Sequence, residues 1–487
     1  MVQPDAAFLT VPGAQSWTFG EMEDMSARIA GALVHAGAKR GDRIAVQVEK
    51  SAENVALYLA SLRAGLVYLP LNTAYTPAEI AYFIGDAEPS IFICDPALKS
   101  ARPKGPRILT LSAGGAGSLT DAARAAPAFQ DVAPVDADDL AAILYTSGTT
   151  GRSKGAMLTH RNLRSNAVAL CDIWGFRAGD ILVHALPVFH IHGLFVALNT
   201  ALLNRSEIIF LPKFDVAEIR RSLARATMMM GVPTFYTRLL AEPDFGAQDC
   251  ANVRLFISGS APLTAETFRE FEKRTGKQIL ERYGMSEAGM IASNPLNGER
   301  RAGTVGYALP NIEIRITANG EILPPGETGI VEVRGPNVFK GYWRMPDKTA
   351  EEFRGDGWFS TGDVGFLSAD GRLTLTGRAK DLVIVGGYNV YPKEIEEILD
   401  SLPEIAESAV IGAPHPDMGE GVVAILVPAK GSAAAPPLND GALNAAVSTL
   451  ARFKQPRKFI WMDALPRNAM GKVQKQALRE RWSGAFS

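Results

Sequence analysis

Cysteine is nearly missing from this chain of 487 residues: Cys94, Cys171 and Cys250 are far apart and odd in number. That argues against a disulfide framework and against a cysteine-built zinc site, and it suits a reducing cytosol. An excess of charge of one sign is also missing. Fifty Lys and Arg against 52 Asp and Glu leave a formal net charge of −2, which gives no electrostatic case for nucleic acid or an anionic membrane. Apolar runs are short. Gly193–Leu198 is far below the length a bilayer demands. The first residues, Met1-Val-Gln-Pro-Asp, lack the basic-then-apolar order of a signal peptide, so a cytoplasmic location is expected. What remains is globular: 47% hydrophobic and 21% charged, with length for at least two domains and a large core.

From Trp17 onward, helix and strand signals alternate. Thr18-x-x-Glu21 is a capping box and predicts an amphipathic helix to about His35. Ile44–Val48 reads as a strand, Ser51–Ala64 as a helix stopped at Gly65, and Val67–Leu71 as a strand. Thr76-Pro-Ala-Glu79 is a second capping box with Pro77 at the first helical position, and Ile91–Cys94 is another strand. Such alternation predicts an α/β architecture, with parallel sheets covered on both faces. Residues 101–137, rich in Ala, Gly and Pro, read as a surface connection. Beyond Ile312 the character changes: residues 312–336 and 365–376 alternate short β runs with Gly/Pro turns, which predicts antiparallel hairpins. Glu394–Leu402 predicts a short amphipathic helix in a small C-terminal α/β domain, with residues 430–440 as a surface loop.

The chemistry concentrates first in Tyr145-Thr-Ser-Gly-Thr-Thr-Gly-Arg-Ser-Lys-Gly155, which follows a buried-strand pattern at Leu140–Leu144. Thr146, Ser147, Gly148, Thr149, Thr150, Gly151 and Lys154 supply glycines, hydroxyls and an ammonium and no aliphatic side chain. Exposed amides, hydroxyls and cations with room for close approach suit an oligophosphate. The spacing is not that of a Walker A loop, since two residues separate Gly148 from Gly151 and Lys154 precedes Gly155. Downstream, His190-Ile-His192 would place two imidazoles on one side of an extended segment, but no Cys, Asp or Glu is near enough in sequence to complete a zinc site. The run Met228-Met-Met reads as core. Arg238 follows an apolar stretch, where a cation needs a partner.

These motifs resemble the adenylate-forming (acyl-CoA synthetase) superfamily over nearly the whole chain, most closely its malonate-specific members. The resemblance implies a large N-terminal domain, residues 1–379, of parallel and mixed sheets with helices and a distorted β-barrel region. It also implies a small mobile C-terminal α/β domain, residues 380–487. The implied substrates are ATP, CoA and a carboxylic acid, with Mg2+. The turns Ser258-Gly-Ser260-Ala261-Pro262 and Glu281-Arg282-Tyr283-Gly284-Met285-Ser286-Glu287 resemble the nucleotide site, with Tyr283 beside adenine and Glu287 as magnesium ligand together with Thr150. Asp363 resembles the aspartate that binds the ribose diol, and Arg378 a contact to ribose or phosphate. Lys380 matches the hinge, Gly386, Gly387 and Tyr388 the passage for the CoA arm, and Lys472 the catalytic lysine of adenylation. Relatives usually carry a further segment ahead of the part equivalent to Phe8–Trp17, so a truncated or alternative start is expected.

For the acid, the resemblance implies a pocket with His190 closing it, Ser258 in its wall, and Arg238 and Arg282 gripping a second carboxylate. Malonate is the expected substrate, with methylmalonate secondary. The alternatives are an acyl-CoA synthetase for acetate or a longer acid, an adenylation module that loads a carrier protein, and a non-enzymatic nucleotide sensor. Presence of Lys472, Glu287 and Asp363 speaks against the last. A lysine acyltransferase acting on Lys472 is an expected partner by the same analogy, and the protein is expected to be a monomer or dimer.

Overall fold

Helix starts are set by side chains. Glu21 donates its backbone N–H to the Thr18 hydroxyl while its carboxylate takes the Thr18 N–H at 2.7 Å, and the helix runs Phe19–His35. Ser51 caps Ala52–Arg63, which ends before Gly65 at φ 66°. Thr76 and Glu79 form the second capping box, ahead of Pro77–Ala87. The computed structural model describes residues 3–101, 105–146, 153–429, 437–468 and 472–486.

Two large sheets form the N-terminal part. In the first, Arg107–Thr110, Ile91–Cys94, Arg43–Gln47, Val67–Pro70 and Leu140–Thr146 run parallel, and Lys154–Thr159 turns back antiparallel to the last. The second has nine strands; at its centre Ile181–His184, Met228–Gly231, Leu255–Ser258 and Ile279–Met285 lie parallel in that order. Strand ends that carry the Ser258 and Glu281 turns therefore emerge side by side. Met228, Met229 and Met230 are fully buried, core as expected.

One expectation needs correction. Residues 107–125 are not merely a connection: Arg107–Thr110 extends the first sheet, and Ser118–Ala125 packs on the helix Phe19–His35. Alanine and glycine reduced the periodic signal there, yet Leu119 and Ala123 still bury a face. The hairpins expected beyond Ile312 form a five-stranded antiparallel sheet from Glu321–Ile322 to Leu373–Arg378, and Leu373 bridges on to Gly306 beside the second sheet.

A separate core begins where this one ends. The main apolar cluster reaches Leu373 in sequence, and the next begins at Val383. The C-terminal sheet pairs Gly419–Pro428 with Ile405–His415 and Lys458–Trp461, and buries one face under Pro392–Leu399 and the other under Lys475–Arg481. Among the described residues no helix is long and apolar enough to cross a membrane.

Candidate active site

The site lies where the strand ends of the second sheet meet the antiparallel sheet and the loop of Lys472. Asp363, on Phe359–Leu367, is 5% exposed. Arg378 Nε lies 2.6 Å from one of its oxygens, and the Tyr283 hydroxyl donates to the other. Three expected nucleotide residues are thus brought together. Burial pushes the Tyr283 phenol well up, so it stays a donor, and Asp363 raises the Arg378 guanidinium.

Glu281 and Glu287 bracket the same turn. Glu281 accepts the Leu263 N–H at 3.0 Å, tying the two turns together, and burial raises its carboxyl to about 7. Burial also raises Glu287, against the pull of Arg378 and Lys154. Tyr342 lies 3.2 Å from Glu287 and 2.7 Å from Glu352, whose other oxygen pairs with Lys154 at 2.9 Å. Neither Tyr342 nor Glu352 was singled out in the sequence; no spacing rule marks them. Thr146 and Lys154 close the hairpin in register, while Ser147, Gly148, Thr149, Thr150 and Gly151 lie outside the described residues. Gly284 could not be larger: a Cβ there would meet the Gly289 carbonyl at 2.3 Å.

Beside these carboxylates stands a cation without one. Arg282 is 3% exposed, and burial lowers its guanidinium to about 9. Among the described residues it forms no ion pair, and its Nε and Nη2 have no hydrogen-bond partner. Ser258 Oγ and His192 Nε2, also buried, are equally unpartnered. Gly259 makes room for the guanidinium, since a Cβ would fall 2.4 Å from Arg282 Cζ. His192 Nδ1 bonds Ser260 Oγ at 3.1 Å, with Ser260 held at φ 71°. His190 is driven down to about 3 by burial, with Lys472 and Arg282 adding to the effect, so it is a neutral ring. Among the described residues no three His, Cys, Asp or Glu gather around a metal-sized site.

Arg238 departs from expectation. It is exposed on Pro233–Leu240, with its guanidinium 5.8 Å from the Phe214 ring, which stacks on Phe235 one turn earlier. The cation that an apolar stretch seemed to demand a partner for finds an aromatic face and water. Buried and unpaired is Arg282 alone of the two.

Lys472 is exposed, yet its ammonium feels the groups around it. Burial lowers its ammonium, Arg378 and Arg282 lower it further, and Asp363 and Glu287 oppose them. Those four groups and His190 belong to the N-terminal part, so the C-terminal part presents this lysine to the site. Asn468 holds it, donating its N–H to the Lys472 carbonyl at 2.9 Å and accepting the Lys472 N–H on Oδ1 at 3.0 Å. Gly386 and Gly387, at φ 57° and 86°, form an exposed hairpin tip with Tyr388, whose ring stacks on Phe453. Lys380 is also exposed, and its neighbour Asp381 pairs with Arg479 at 2.7 Å.

Residues 1–343 match the AMP-binding enzyme family and residues 394–472 its C-terminal domain. The chain is 36% identical to malonate–CoA ligase of Arabidopsis thaliana, over 91% of this chain and 78% of that one. It is 32% identical to long-chain-fatty-acid–CoA ligase of Bacillus subtilis, over 98% and 92%. The crystal structure of ATP-bound MatB from Rhodopseudomonas palustris, 51% identical, superposes with a TM-score of 0.97 over 100% of this chain and 98% of that one. The apo form of that protein, with the same coverage and identity, gives 0.86.

Proposed function

This chain belongs to the AMP-binding enzyme family, and from that premise we propose that it is a malonyl-CoA synthetase. The coarser activity follows from the family and its CoA-ligase relatives: an AMP-forming acyl-CoA synthetase that uses ATP, Mg2+ and CoA. The observation that carries the choice of acid is Arg282, a buried guanidinium that forms no ion pair among the described residues and has only the electrostatic pull of Tyr236 and Glu281 to offset its burial. Leaving such a charge unpaired is costly, so a site that keeps it is built for an anion that arrives with the substrate. Ser258 Oγ and His192 Nε2 are free to complete the bonding of that anion. A monocarboxylic acid would leave all three unsatisfied. Arg238 then serves at the surface, as a cation that draws the dianion in.

In the first half-reaction an oxygen of the near carboxylate attacks the α-phosphorus of ATP, and the bond to pyrophosphate breaks. Two anions must meet, so charge neutralisation dominates. Lys472 and Lys154 would supply it, with Asp363 and Arg378 fixing the ribose end. Glu287, a carboxylate that burial makes favour a positive partner, suits magnesium; it would hold the ion together with Thr150, and the ion would neutralise phosphate charge. In the second half-reaction the CoA thiolate attacks the acyl carbonyl, the thiol proton having been released, and AMP leaves. Lys472 at the centre and Gly386–Gly387 exposed suit the first step, and the greater likeness to the ATP-bound relative supports that reading. The second step would require the C-terminal part, from about residue 380, to turn about Lys380 and bring Gly387 inward.

The test is pyrophosphate release with ATP, magnesium and CoA across acetate, malonate, methylmalonate, succinate and octanoate. A preference for malonate over acetate of roughly a hundredfold or more is expected. A preferred monocarboxylate would leave the adenylation chemistry in place and remove malonate.

A further inference from the structure

Between the phosphate loop and Glu287 runs a polar chain whose middle members belong to neither. The segment 339–343 lies along Lys154–Thr159: Lys340 donates to the Met157 carbonyl at 2.9 Å, Met157 to Gly341 at 3.0 Å, and Trp343 to Gly155 at 2.8 Å. Phe339 donates to the Glu287 carbonyl at 2.7 Å. This ladder puts the Tyr342 ring 4.1 Å from Lys154 Nζ and its hydroxyl between two carboxylates. It lies 2.7 Å from Glu352 Oε2 and 3.2 Å from Glu287 Oε1. Tyr342 and Glu287 are 3% and 7% exposed, so water does little to share the load.

A phenol has one proton to donate. The shorter contact takes it, and Lys154, 2.9 Å from the other Glu352 oxygen, keeps that carboxylate aimed at Tyr342. The contact to Glu287 is the longer and weaker of the two. We propose that Tyr342 and Glu352 are positioning residues for magnesium binding: the Lys154–Glu352 pair holds most of the Tyr342 proton and so keeps the hydroxyl from competing with the cation for Glu287. This rests on the reading of Glu287 as the magnesium ligand. It also gives the helix Pro346–Glu352 a task in the site, and it couples the phosphate-binding lysine to the metal carboxylate through one hydroxyl.

The experiment is calorimetric titration of ATP into the full chain over a series of free magnesium concentrations, without acid or CoA, so that no turnover contributes. In Glu352→Gln the neutral amide is the weaker acceptor and the Tyr342 proton turns to Glu287. The magnesium concentration for half-maximal ATP binding should rise roughly tenfold. Tyr342→Phe has no proton to misplace and should not show that rise. The double variant Tyr342→Phe/Glu352→Gln should therefore return to within about twofold of Tyr342→Phe alone. A rise that persists in the double variant, or no rise in Glu352→Gln, overturns the proposal. Glu287→Gln separates the two readings. If it leaves the magnesium dependence unchanged, Glu287 is not the ligand; if it abolishes it while Glu352→Gln has no effect, only the positioning role fails.

Discussion

The Tyr283 hydroxyl donates to Asp363, a residue 80 positions later on a different sheet, and Arg378 holds the second oxygen of the same carboxylate. A ribose diol can reach Asp363 only by sharing it with these two donors. On the proposed reading of Asp363 as the ribose ligand, the carboxylate is already oriented before nucleotide arrives, and the cost of ordering it falls on folding instead of binding.

Asp363→Asn keeps the shape and removes the charge that both donors use. Charge-assisted hydrogen bonds contribute about 1.5–3 kcal/mol, so ATP affinity should fall roughly 10- to 100-fold. Titration calorimetry with ATP reads this directly, and the KM for CoA should stay within about twofold.

The raised pKa of Glu281 gives a pH signature. Its folded value of about 7 exceeds the ordinary 4.5, because burial disfavours the anion. Between those values the folded state holds a proton that the unfolded state has lost, so this group's contribution falls as pH rises through the window and levels off above it. Glu281→Gln mimics the protonated form. Its thermal midpoint should match the wild type near pH 5 and exceed it near pH 8; a constant difference across that range would contradict the assignment.

Much of this was legible before any coordinates. The capping boxes at Thr18 and Thr76 placed two helix starts, because a side-chain cap is a local event written in consecutive residues. Tyr283, Asp363, Arg378 and Lys472 were recognisable as motifs, and the fold brings them to one place. What was not legible depends on contacts across the chain. The family resemblance pairs Arg238 and Arg282 as one clamp, but only the strand Ile279–Met285 carries its arginine inward. Tyr342 gains its role from a ladder with Lys154–Thr159, some 185 positions earlier in the sequence. The strand Arg107–Thr110 was hidden in an Ala/Gly/Pro-rich stretch and exists because Ile91–Cys94 offers it an edge.

Lys472→Ala should separate the half-reactions. Removing an ammonium that faces the nucleotide site should lower pyrophosphate release from malonate and ATP by roughly 100- to 1,000-fold. Thioester formation from preformed malonyl-AMP and CoA should persist, since the lysine acts before that step. Acylation of Lys472 would have the same effect by removing its charge. Equal loss of both steps would count against this division.

Arg282 should also burden the fold it serves. A buried, unpaired guanidinium is costly to desolvate, so Arg282→Met should stabilise the free protein, by about 1–3 kcal/mol if the cavity is filled. Differential scanning calorimetry without ligands should show a higher midpoint for the variant. A lower midpoint would mean that the guanidinium has a partner in the folded chain.

The central claim is that Arg282 reads the second carboxylate of the acid, and the most direct measurement is the ratio of kcat/KM for malonate to that for acetate in wild type and Arg282→Met. Leaving the distal carboxylate buried without its cation should cost about 2–5 kcal/mol, so the ratio should collapse by roughly 30- to several-thousand-fold while acetate activity survives. A variant that keeps the wild-type ratio, or that loses acetate and malonate in equal measure, would contradict the account.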